Sequence, residues 1–103
     1  MNAGQIINKW IGTGTIRNLE FVSEFKKFRL MLESPCISGP DVLHINLFSI
    51  NFPAGMTERI EGKYADGDFV YIEGMLTQSE KSVNTKVQAV YIKHFDPVSL
   101  AEA

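Results

Sequence analysis

The sequence predicts a small all-β barrel of five strands, with one short helix between the third and fourth. Three observations carry this expectation. Short runs of alternating apolar and polar residues, rich in β-branched and aromatic types, are separated by Gly, Pro, Asn and Asp breaks. Only one segment, 56–65, is a plausible helix, short and charged with apolar side chains at four-residue steps on one side. The chain has 103 residues, enough for one domain with one modest core.

Each element follows in order. Residues 1–8 carry no strong pattern and read as a flexible arm; the domain is expected over 9–96 and a short tail over 97–103. Trp10 to Arg17 suits a first strand, and Gly12 and Gly14 inside it suggest a bend or bulge. Phe28 to Glu33 alternates most clearly. Phe28, Leu30 and Leu32 should face the core, and Arg29, Met31 and Glu33 should face out. Pro35, Gly39 and Pro40 make 34–41 a loop. Residues 42–51 form the third strand, with Leu43, Ile45 and Leu47 on one face. His44, Asn46 and Phe48 share the other, which reads as the polar, outward one.

Pro53-Ala54-Gly55 ends that strand, and 56–65 is the helix, with Met56, Ile60 and Tyr64 on one side. Asp66-Gly67-Asp68 is a turn into Val70-Tyr71-Ile72-Glu73-Gly74-Met75-Leu76. There Val70, Ile72 and Leu76 should point inward, and Tyr71 and Glu73 outward. Thr77 to Thr85 is a hairpin loop longer than a tight turn. Val87 to Phe95 is the fifth strand, with Val90 and Ile92 inward. Five strands with a helix after the third is the order of an OB-fold barrel, whose helix plugs one end.

Composition narrows the function. Hydrophobic residues make up 45% of the chain, an ordinary globular value. No apolar run approaches the roughly 18 residues of a membrane helix, and no secretory signal is visible. Cys36 is the only cysteine, so a reducing, cytoplasmic (or nucleoid-associated) setting is expected. Ten Lys+Arg stand against twelve Asp+Glu, a net charge of −2. Bulk charge alone therefore does not hold nucleic acid, although a local cluster of cations can. His44 and His94 have no cysteine or carboxylate pair at metal-ligand spacing beside them. Gly12-Thr13-Gly14 lacks the rest of a dinucleotide fingerprint. Neither an enzyme nor a cofactor or metal site is expected.

Tyr64-Ala65-Asp66-Gly67-Asp68-Phe69-Val70-Tyr71-Ile72-Glu73-Gly74-Met75-Leu76 resembles the helix end, turn and fourth strand of the bacterial and phage single-stranded-DNA-binding (SSB) family. Gly14-Thr15-Ile16-Arg17-Asn18-Leu19-Glu20 is similar to that family's first strand and loop. Lys27-Phe28-Arg29-Leu30-Met31-Leu32 resembles its second strand, and Leu47-Phe48-Ser49 the end of its third. The resemblance spans roughly residues 8 to 95. It implies an OB domain that binds single-stranded DNA as a homodimer or homotetramer. There are departures. Val42 and Leu43 stand where the family often has a tryptophan beside its histidine, and Ser79-Glu80-Lys81-Ser82 replaces another. The family's long tail with an acidic tip is not seen, so tail-mediated recruitment of partner proteins is not expected.

Single-strand binding needs aromatic faces for bases and cations for phosphates. Phe48 is the first choice of platform. Tyr71 is either a platform or a cross-strand or subunit contact, and Tyr91 with Lys93 repeats the pattern. Trp10 either stacks a base or packs in the core or an interface. Arg29, Lys27, Lys81, Lys86 and Lys93 would track the backbone, with His44 nearby. The function expected is sequence-tolerant single-stranded DNA binding in replication, recombination or repair. The alternatives are an SSB-like protein-interaction or primosome-accessory subunit with weak nucleic-acid binding, or a non-catalytic subunit of a nucleic-acid enzyme.

Overall fold

A computed structural model describes residues 8–37, 40, 43–78 and 85–96. Five strands, β1 (Trp10–Val22), β2 (Lys27–Ile37), β3 (Leu43–Asn51), β4 (Phe69–Thr77) and β5 (Lys86–His94), make up its sheet. They close into a barrel in the order β1-β2-β3-β5-β4. β3 and β5 run parallel and every other pair antiparallel. A 3₁₀ turn, Ala54–Met56, and a single-turn helix α1, Thr57–Ile60, lie between β3 and β4. This is the OB-fold arrangement.

Alternate residues of each strand fill the core. Leu30 and Leu32, Val70 and Ile72, and Val87 and Ala89 are buried, together with Ile16, Ile50 and Phe52. Burying each large side chain contributes about 1.5–3 kcal/mol. Met56 and Ile60 close one end of the barrel, with Tyr64 half-buried against them. The four-residue spacing therefore found the right face of the helix. It overstated the length: the helix expected over 56–65 stops at Ile60, and the chain turns at Gly62 with φ +73°.

β1 runs past Arg17 to Val22, longer than its apolar pattern suggested. Its bend falls between Arg17 and Glu20, where the register with β2 shifts, rather than at Gly12 or Gly14. Asn18 takes the left-handed conformation there, at φ 53°. The freed amides of Asn18 and Leu19 donate to the Asp66 carboxylate at 3.0 and 2.8 Å. Gly67 lies at φ +96°. Its N–H donates to the Ile16 carbonyl, and the Ile16 N–H to the Asp68 carbonyl, each at 2.9 Å. The Asp66-Gly67-Asp68 turn thus clamps the β1 bulge. Gly14 serves a different need, because a Cβ there would sit 2.4 Å from the Glu33 carbonyl oxygen.

Four further expectations are corrected. Residues 34–37 continue β2, paired with 43–46, instead of forming a loop. Pro35 is tolerated because, among the described residues, β2 beyond Glu33 pairs with β3 and with no strand on its other edge. On β3 the outward face was read the wrong way round. Ile45 and Leu47 are 51% and 60% exposed, while Phe48 shares the inward side with Ile50 and Phe52. His44 and Asn46, also on that parity, lie on the ribbon before β3 joins the barrel wall, so both are exposed.

On β5, Val90 was expected inward and is exposed. A bulge sets Glu73 opposite Tyr91 but Gly74 opposite Ala89, leaving Val90 unpaired between them. The inward parity restarts at Ala89 and Val87, and Ile92 is inward as expected. Past the same bulge β4 leaves the wall, so Leu76 is exposed as well. Gly74 permits the close approach there: a Cβ would meet the Gln88 carbonyl oxygen at 2.4 Å.

Candidate nucleic-acid interface

Strand directions set the barrel's two ends apart. α1 and the β1–β2 hairpin tip lie at one end. The start of β1, the start of β3 and the β4–β5 hairpin meet at the other. Trp10 and Phe48 close this second end, with ring centroids 5.3 Å apart in an edge-to-face contact. Both are half-buried against the core. The indole folds over Gly12, where a Cβ would lie 2.3 Å from it. Beside the two rings opens a cleft of about 420 Å³, lined also by Leu47, Ser49, Leu76, Thr85 and Val87. Lys86 sits on β5 between the lining residues Thr85 and Val87 and is exposed.

Ser49 also borders a second hollow of about 270 Å³ on the outer face of β1, β2 and β3, formed with Asn18, Glu20, Arg29, Leu30 and Met31. The two concavities share Ser49 as a wall. Arg29 does face outward as the alternation required, but its Nε donates to Glu20 Oε1. Arg17 on the same face donates to Glu33 Oε2 at 2.9 Å. Both guanidinium groups are engaged by carboxylates in the free protein.

Tyr71, Tyr91 and Lys93 come together elsewhere, on the outer face of β4 and β5. Tyr71 and Tyr91 have centroids 6.2 Å apart, and Phe95 lies 6.4 Å from Tyr71. The Lys93 ammonium stands 5.1 Å from the Tyr71 centroid. Tyr71 donates its hydroxyl to Glu73 Oε1 at 2.9 Å. That bond, then burial, then the charges of Glu73 and Tyr91, raise the phenol's pKa above its usual 10.0. Lys9 reaches the same Glu73 oxygen at 3.6 Å. This is a self-satisfied aromatic face flanked by exposed Ile11.

Lys27 lies in neither place. It stands beside the β1–β2 turn with its ammonium 5.3 Å from the Phe25 ring centroid. His44 is exposed on the β2–β3 ribbon, opposite Cys36. Lys81 lies outside the described residues. The structure thus gathers Trp10, Phe48 and Lys86 at one cleft, with Arg29 in the hollow that shares Ser49 with it, and places Tyr71, Tyr91 and Lys93 on a different face. Sequence reasoning missed Leu47 and Leu76 as cleft walls, because both were expected inward. It also missed Phe25, whose signal was an aromatic beside two lysines in a polar turn.

Among the described residues no group of three His, Cys, Asp or Glu side chains could hold a metal ion, and no helix is long and apolar enough to cross a membrane.

A closed five-strand barrel with this helix placement is the OB fold, an architecture used for oligonucleotides and oligosaccharides alike. Known structures agree in fold. A small single-stranded DNA binding protein from Mycoplasma pneumoniae matches at a TM-score of 0.63 and 21% identity, covering 89% of this chain and 96% of that one. A small single-stranded DNA-binding protein from Streptomyces coelicolor matches at 0.65 and 18%, covering 90% and 98%. The dimeric N-terminal domain of PriB from Thermoanaerobacter tencongensis matches at 0.60 and 26%, covering 86% and 97%. No protein-family model matches the sequence, and no curated protein does.

Proposed function

We propose that this protein binds single-stranded DNA with little sequence preference, in DNA replication, recombination or repair. The observation that carries the reading is the Trp10–Phe48 cleft, open to solvent and sharing Ser49 as a wall with the Arg29 hollow. Bases stack on the exposed parts of the two rings and on Leu47. Lys86 and, once freed from their carboxylates, Arg29 and Arg17 meet phosphates. Stacking on an aromatic contributes about 1–3 kcal/mol per base and tolerates any sequence. Structural likeness to two small single-stranded-DNA-binding proteins supports the same reading.

Self-association as a homodimer or homotetramer belongs to this proposal. The outer face of β1, β4 and β5 carries Ile11, Tyr71 and Tyr91, and their burial against a second copy leaves the cleft free. A dimer doubles the contacts along one strand. The test is fluorescence anisotropy of labelled oligothymidylate and of matched duplex at low and moderate salt, with sedimentation to give the mass. Preference for the single strand that weakens with salt supports the proposal. No binding at micromolar protein sinks it, and leaves protein interaction as the remaining role for this barrel.

A further inference from the structure

β1 and β4 pair in register from Thr15 opposite Phe69 to Trp10 opposite Gly74, and there the backbone ladder stops. Carried two residues further, the same register sets Asn8 against Leu76. The Asn8 side chain fills that position. Its Nδ2 donates to the Leu76 carbonyl at 2.8 Å, and its Oδ1 accepts from the Leu76 N–H at 2.9 Å. A hydrogen-bonded pair of an antiparallel ladder exchanges the same two bonds between its backbones. A carboxamide can stand in for a backbone because it carries both a donor and an acceptor. Asn8 is exposed, so water competes for both bonds and their contribution to folding is modest. Their place has a larger consequence. Trp10 lies between the ladder and this clamp. Without Asn8 it becomes the last paired residue of its strand, where fraying begins. Trp10 and Leu76 are both walls of the cleft, and Asn8 ties one to the other beyond the last backbone pair.

We infer that Asn8 is a positioning residue for the cleft: it holds together the strand ends that carry Trp10 and Leu76, so that the indole is already fixed when a base arrives. The inference rests on the single-strand reading proposed above and adds what presets its aromatic platform. Asn8 itself need not touch a base. The indole folds over Gly12, where a Cβ would lie 2.3 Å from it, and meets the Phe48 ring edge-on. Both contacts depend on the direction in which the β1 backbone delivers the ring, and that backbone is held on one side by the ladder and on the other by Asn8. A platform that must be ordered during binding loses affinity, roughly two- to tenfold for each side chain immobilised.

The experiment compares wild type, Asn8→Ala, Trp10→Leu and the double variant. Anisotropy of a labelled oligothymidylate of about 16 nucleotides gives the affinities at low salt. Acrylamide quenching of Trp10 emission in free wild type and free Asn8→Ala reports how the ring is held. We expect Asn8→Ala to weaken binding about fivefold, to make Trp10 more accessible to acrylamide, and to lower the thermal midpoint by no more than about 4–8 °C. In the Trp10→Leu background the same substitution should change affinity less than about twofold, because the ring that Asn8 positions is gone. An equal loss in both backgrounds overturns the inference and makes Asn8 a general support of the strand. Unchanged quenching or unchanged affinity in Asn8→Ala also overturns it, and this arm holds even where Trp10→Leu fails to fold. Failure of wild type to bind the oligomer removes the single-strand reading itself, and the role of Asn8 with it.

Discussion

Phe48 packs against the core and, in the proposed reading, also faces the ligand. It lies on the inward parity of β3, edge-on to Trp10, yet borders the open cleft. Its two roles can be separated by substitution. Phe48→Ala should cost about 2–3 kcal/mol of stability in urea unfolding, because it empties a half-buried site. Phe48→Leu keeps the volume and should fold, but loses the stacking face and several-fold in affinity for single strands. Equal affinity of Phe48→Leu and wild type would show that the ring only packs. The second residue-scale prediction concerns the arginines. Glu20 and Glu33 occupy Arg29 and Arg17 in the free protein, where a phosphate would otherwise be drawn. Exposed pairs of this kind contribute only about 0–1 kcal/mol to folding. Glu20→Gln with Glu33→Gln should therefore leave the unfolding midpoint nearly unchanged and raise single-strand affinity roughly threefold at low salt. Unchanged affinity at low salt would place the arginines off the path.

At the scale of elements, two bulges and one turn decide the geometry. The Asp66 carboxylate collects the two amides that the β1 bulge releases. Asp66→Ala should cost about 1–2 kcal/mol, since those hydrogen bonds are charge-assisted but partly replaced by water. Gly74→Ala should cost more, about 2–3 kcal/mol, because the added methyl meets the Gln88 carbonyl rather than a side chain that can move. A urea series checks both, and the reverse order would mean the β4–β5 bulge relaxes freely.

These same features mark where the sequence was legible and where it was not. Strands with uninterrupted alternation were read correctly: Leu30 and Leu32 on β2, Val70 and Ile72 on β4. Bulges were not, because an extra residue leaves no compositional trace and flips every side chain beyond it. Val90 was misplaced for that reason. Leu76 was misplaced because it lies where β4 leaves the barrel wall, and Leu47 because it is an apolar residue on the outward face of β3. The rule that an apolar residue faces inward failed at the residues lining the cleft. Asp66 looked like an ordinary turn residue, and its partners lie 48 and 47 positions away. The Trp10–Phe48 contact was equally invisible, because it joins the start of β1 to the second half of β3, and these strands are not neighbours in the sheet.

For the molecule as a whole, helix and hairpin tip lie at one end of the barrel and an aromatic pair half-closes the other, and the proposed ligand face lies at the aromatic end. The folded state also leaves a signature in alkaline titration. Burial, then the negative charges of Tyr91 and Asp68, raise the pKa of Tyr64 above 10.0. The folded protein therefore holds that phenolic proton more tightly than the unfolded chain. The resulting stability is complete below about pH 10 and is lost as pH rises through the folded pKa. Urea midpoints should be level near pH 8 and fall by about pH 11, less steeply in Tyr64→Phe. A midpoint independent of pH across that range would contradict the packing of Tyr64 against the core.

The central claim, that bases enter the cleft at the barrel mouth, has a built-in reporter, because Trp10 is the sole tryptophan and lines that cleft. Its emission should be followed while oligothymidylate is added to the wild-type protein at low salt, with matched duplex as control. A saturable quench with the single strand, reversed by added salt and absent with duplex, is the result predicted. Single-strand binding by anisotropy with Trp10 emission unchanged would contradict it and place the bases elsewhere on the barrel.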